Sequence, residues 1–140
     1  MKQLFLFICA FAFSVLMFSA CKKDESKTVQ ERIQGMWTYQ KEIYHSYNST
    51  FDYRDTTYGA ASDYADFRSD NKVYIKFDGS YDTLSYTLLN DSQIYFSWGT
   101  GTGTSHANAN ITVLNDNEFY YYYKDSSATV HGDSYTYLTR

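Results

Sequence analysis

The chain has 140 residues, 12 basic against 16 acidic, for a net charge of −4, a balance that gives no reason to expect nucleic acid as a partner. Its two cysteines, Cys9 and Cys21, fall at the start of the chain, so the remainder has neither a disulfide framework nor a thiolate metal site. Sixteen Tyr, no Pro and few aliphatic residues point to strands around an aromatic core, because Tyr supplies a large apolar ring with a polar tip.

The first twenty residues carry one charge, Lys2, followed by an apolar run over 4–17 of the length of a signal-peptide core. Phe18, Ser19 and Ala20 then lead into Cys21. This resembles the lipobox of bacterial lipoproteins, although the family usually has Leu where Phe18 stands. The resemblance implies cleavage before Cys21 and lipidation of its thiol. Residues 1–20 then form the signal peptide, and 120 residues remain at a net charge of −5, since only Lys2 is lost. That length suffices for one domain with a modest core. The alternative is an uncleaved anchor, but residues 4–20 sit at the lower limit of the roughly 17–25 residues that a membrane span needs.

Lys23, Asp24 and Glu25 resemble the export signal that follows the lipidated cysteine in Bacteroidota-type surface lipoproteins. The resemblance implies an outer-membrane protein facing the cell surface; without such a signal it would face the periplasm. Residues 21–32 read as the lipidated N-terminus and a polar tether, whose ten residues after the cysteine reach about 35 Å when extended. Within it, Thr28 and Glu31 have the spacing of a capping box for one turn of helix over 28–34.

The domain is expected over 33–140. A first strand over 36–47 places Trp37, Tyr39, Ile43 and Tyr47 on one face and Thr38, Gln40, Glu42 and Ser46 on the other, by period two. A weaker strand covers 50–58, and 59–71 reads as a loop. Val73, Ile75 and Phe77 alternate with polar residues up to Asp78-Gly79, a hairpin signal. Leu84, Tyr86 and Leu88 share a face of the next strand, as do Ile94, Phe96 and Trp98 of the one after. Residues 99–110 read as a flexible loop, 111–114 and 118–124 as strands, and 134–140 as the last strand. About eight short antiparallel strands with tight turns predict an all-β sandwich or up-and-down barrel.

Gly35-Met36-Trp37 opens the first strand and Arg140 ends the last. This pair resembles the lipocalin-like domain of small bacterial lipoproteins, over about residues 33–140. The resemblance implies an eight-stranded barrel closed at one end by Trp37, with Arg140 packed across the indole. A guanidinium over an indole face is a cation–π contact that also ties the first strand to the last.

The remaining motifs are weak. The Gly99-Thr-Gly-Thr-Gly103 stretch lacks the Lys-Ser/Thr ending and the helix of a phosphate loop. His45, His106 and His131 are isolated and no Ser sits in a nucleophile elbow, so no catalytic residue, metal or cofactor is expected. Tyr120 to Tyr123 puts rings on both faces of one strand, either as packing or as the wall of a pocket. The expected function is a lipid-anchored binding protein for a small apolar or amphipathic ligand held by Tyr39, Tyr86, Phe96, Trp98, Tyr121 and Tyr137. The alternative is a structural or interaction protein with a filled barrel.

Overall fold

The computed structural model describes residues 27–126 and 130–140. The leader, Cys21 and the Lys23-Asp24-Glu25 signal lie outside the described residues. A five-residue helix, α1 (Val29–Ile33), comes first. Its capping box is formed: Thr28 accepts from the Glu31 N–H, and the Glu31 carboxylate accepts from the Thr28 N–H. Among the described residues, nine strands follow: β1 (Gly35–Tyr47), β2 (Asp52–Tyr58), β3 (Tyr64–Phe67), β4 (Lys72–Phe77), β5 (Ser80–Asn90), β6 (Gln93–Thr100), β7 (Gly103–Leu114), β8 (Glu118–Ser126) and β9 (His131–Thr139).

All pairings are antiparallel. From β3 to β9 each strand pairs with the next, and β9 pairs back to β1. Strands β2 and β3 lie end to end along one edge of β1, with β3 on Gly35 to Thr38 and β2 on Lys41 to Tyr47. They share one place in the ring, so the fold is all-β: a closed, eight-stranded, lipocalin-like up-and-down barrel. Closure pairs strand edges that would otherwise be exposed. At the β4–β5 hairpin, Asp78 and Gly79 have φ of 48° and 75°, as a two-residue turn between right-twisted strands demands.

Two segments read as loops are strands. Residues 59–71 contain β3, whose Ala65 and Phe67 are buried between β1 and β4. Residues 99–110 contain the first part of β7, which pairs with β6 from Gly103–Thr100 to Asn110–Gln93. Small polar side chains give that stretch little strand signal of its own. The ladder with β6 supplies its order, as tertiary context commonly does in sheets.

The face assignment in β1 also changes. Its register against β9 shifts between Tyr39 and Lys41. A bulge adds one residue and reverses the side-chain alternation beyond it. Trp37 and Tyr39 point inward as expected, but Ile43 and Tyr47 turn outward, opposite Tyr135 and His131. Glu42 and Ser46 turn inward, opposite Thr136 and Gly132. Gly59 packs against this bulge: its N–H donates to the Gln40 carbonyl at 3.0 Å, and a Cβ there would lie 2.3 Å from the Tyr39 carbonyl oxygen.

Candidate functional site

The two ends of the barrel differ. At the base, where β1 begins, α1 lies against the strand ends. Ile33, Trp37, Phe67, Val73, Tyr86, Ile94, Phe119 and Leu138 are each at most 1% exposed. Phe119 sits between Trp37 and Phe67, with ring centroids 5.5 and 5.4 Å away. The Trp37 indole donates to the Ile33 carbonyl at 2.7 Å. The Arg140 guanidinium lies 3.8 Å over the Trp37 ring and donates to the carbonyls of Arg32 and Gln34. Arg140 thereby ties the last strand, the first strand and the helix end, whose carbonyls would otherwise lack partners.

The mouth holds a cavity of about 270 Å³. Tyr39, Phe77, Phe96, Trp98, Tyr121 and Tyr123 supply aromatic walls. Ile75, Leu84 and Ala107 add apolar surface, and Glu42, Asp82 and Thr136 supply polar groups. Four of the six residues expected to bind ligand, Tyr39, Phe96, Trp98 and Tyr121, therefore meet in one place. Tyr86 and Tyr137 do not line this cavity. Tyr86 is on the inward face of β5 but lies further toward the base than Asp82 and Leu84. Its hydroxyl donates to the Arg68 carbonyl at 3.0 Å and accepts from Gln30 at 3.1 Å. Tyr137 alternates with buried Thr136 and Leu138, so it faces outward. There it packs 5.0 Å from the Tyr120 ring and under the Lys41 ammonium at 4.5 Å.

The sequence does not single out the other eight lining residues, Glu42, Asp82, Tyr123 and Thr136 among them. Asp82 shares a period-two face with Leu84 and Tyr86, and Tyr123 shares one with Tyr121, so both positions follow from alternation once the inward face is known. Glu42 does not, because the bulge that turns it inward, between Tyr39 and Lys41, has no Gly or Pro of its own to announce it.

Several polar groups lie in or against the cavity wall. The buried Ser134 hydroxyl donates to Glu42 Oε1 at 2.6 Å. The Tyr121 hydroxyl lies beside those of Tyr39 and Thr136. Burial pushes the Tyr39 and Tyr121 hydroxyls well above the ordinary phenol range, and the charge of Glu42 adds to the effect. Both stay neutral at physiological pH, able to donate and accept. A second cleft of about 390 Å³ adjoins the first, lined by Trp98, Thr104, Ser105, His106, Ala107, Tyr123 and Lys124. It opens where β7 continues past Ala109–Tyr123, the last pair of its ladder with β8.

The three histidines are apart from the cavity. His45 is 2.9 Å from Asp52 and 3.8 Å from Asp133, His131 packs 5.4 Å from the Tyr47 ring, and His106 stacks on Tyr95. Among the described residues no group of three or more His, Cys, Asp or Glu could hold a metal ion, and no helix is long and apolar enough to cross a membrane. No protein-family profile, curated protein or solved structure matches the chain.

Proposed function

We propose that this protein is a lipid-anchored binding protein of the outer membrane, held through Cys21 and facing the cell surface, whose barrel mouth takes a small amphipathic ligand. The observation that carries the binding reading is the 270 Å³ cavity, walled by aromatic rings with a few polar groups among them. Concave, mostly apolar sites with sparse polar groups are the usual form of small-molecule pockets. The filled base limits the ligand to the mouth, and hence to a compact molecule rather than a long acyl chain. The anchor rests on the apolar leader ending at Cys21 and the charges after it. Several acyl chains, each buried CH₂ contributing about 0.8 kcal/mol, would make release negligible.

Organic-solvent extracts of the full chain purified from cells test this reading. Small molecules should co-purify with the wild type and be missing from Ala107→Trp, which fills the cavity. Identical extracts from both would overturn it. A second reading, in which the barrel docks a protein partner, draws on Tyr44, Phe51 and Tyr53, which are 41–54% exposed around the β1–β2 arm. Repeatably empty extracts would favour that reading. For the anchor, Cys21→Ser should release the chain from the membrane fraction. Protease added to intact cells should digest the domain if it faces outward.

A further inference from the structure

We infer that the mouth cavity selects an organic cation, a small amine or quaternary ammonium carried on an apolar body. The inference rests on the binding reading above and specifies its ligand class. Among the described residues the cavity lining includes two carboxylates, Glu42 from β1 and Asp82 from β5, and no Lys, Arg or His. The nearest basic side chains on the same strands point away. Lys41, next to Glu42, lies over Tyr137 on the outer face, and Lys76, between Ile75 and Phe77, donates to Ser62 at 2.8 Å. His106 and Lys124 line the neighbouring cleft instead, with His106 stacked on Tyr95.

Both carboxylates keep capacity for a ligand. Glu42 Oε1 accepts from Ser134, and Asp82 Oδ1 accepts from the Thr83 N–H at 2.7 Å. An ionised carboxylate offers about four acceptor sites, so each can take further donors. The Ser134 bond also holds Glu42 in place, which lessens the ordering that binding would require. The walls suit the same ligand. Ring faces attract cations through their quadrupole, most strongly for Trp, and the attraction grows as water is excluded. An anionic ligand would meet two like charges and, among the described residues that line the cavity, no cation. A fatty acid is therefore the wrong class of amphiphile for this site.

Calorimetry on the full chain, held in an uncharged amphipol, tests the inference with three probes sharing one ring: phenethylammonium, 2-phenylethanol and 3-phenylpropionate. Phenethylammonium should bind about tenfold or more tighter than the alcohol, and the carboxylate most weakly. The preference should collapse in the Glu42→Gln, Asp82→Asn double variant, with either single variant intermediate. It should persist in Asp91→Asn, which removes one charge in the β5–β6 turn away from the mouth. If the alcohol binds as tightly as the ammonium, the cation inference fails while the binding reading stands. If none of the three binds, the cation inference fails, and the comparison of extracts decides the binding reading.

Discussion

The base and the mouth of this barrel are built from the same aromatic residues and put them to opposite use. At the base, buried rings pack against one another at centroid distances of 5.2–5.5 Å, and their polar tips are tied to backbone, as in Trp37 to Ile33 and Tyr86 to Arg68. At the mouth, rings of similar size stand around a cavity. The difference lies in what faces them. The inward positions of upper β7 and β9 are Ala107, Gly132, Ser134 and Thr136, too small to meet the rings across the barrel. Ring content alone therefore makes neither a core nor a pocket; the small residues opposite decide.

The comparison breaks most easily at the base. Trp37→Ala removes a fully buried ring, the hydrogen bond to Ile33 and the surface under Arg140. Truncation of a buried Trp costs about 3–5 kcal/mol. Urea denaturation should show a loss of that size, and a loss under about 1 kcal/mol would mean the base is not the stable half. Gly59→Ala acts at the junction. Its Cβ would collide with the Tyr39 backbone, which cannot swing aside as a flexible side chain could. Overpacking of this kind costs about 1–3 kcal/mol. Because Gly59 packs on the bulge that turns Glu42 inward, the same change should weaken probe binding at the mouth. Wild-type stability with Ala at this position would argue against the close approach.

Alkaline pH acts on both ends, since burial also raises the Tyr86 hydroxyl at the base, but the larger shifts are at the mouth. Tyr39 and Tyr121 have folded-state pKa values raised above about 10, the unfolded value. Above pH 10 the unfolded chain releases these protons while the folded chain keeps them, so stability falls as pH rises through that window. Below pH 10 their contribution is fully present. The slope is at most about 1.4 kcal/mol per pH unit for each such group. Tyr121→Phe should flatten the decline in Tm between pH 10 and 11 relative to wild type. Parallel declines would show that Tyr121 titrates alike in both states.

Much of the barrel wall is legible in the sequence, at the base and at the mouth alike. The Thr28–Glu31 capping box, the Asp78-Gly79 turn and the one-face sets Val73-Ile75-Phe77, Leu84-Tyr86-Leu88 and Ile94-Phe96-Trp98 all follow from local chemistry and period two, whereas the side that each set faces is fixed only by closure of the barrel. The rest of the mouth is harder to read because its features are non-local. The bulge after Tyr39 depends on Gly59 and β9, so alternation counted through it assigns Glu42 and Ser46 to the wrong face. β7 is ordered by its partner rather than by its own composition. Tyr86 and Tyr137 show the two ways a ring can miss the cavity: correct face at the wrong depth, and correct depth on the wrong face.

The smallest expected effect on stability is at Trp98, and it sharpens the contrast most. Trp98 lies near the mouth end of β6, half-buried, and lines both the cavity and the adjoining cleft. Its indole borders open volume on two sides, so truncation leaves no sealed void and little packing is lost. Trp98→Ala should change unfolding free energy by no more than about 1 kcal/mol, near the range of substitutions outside the core. Yet the indole is the strongest cation-attracting ring in the lining. Affinity for phenethylammonium should fall about tenfold, while the emission of Trp37, then the sole tryptophan, reports an intact base. Large destabilisation with unchanged affinity would reverse the roles of the two ends: Trp98 would then belong to the core, and the aromatic wall would be packing rather than a site.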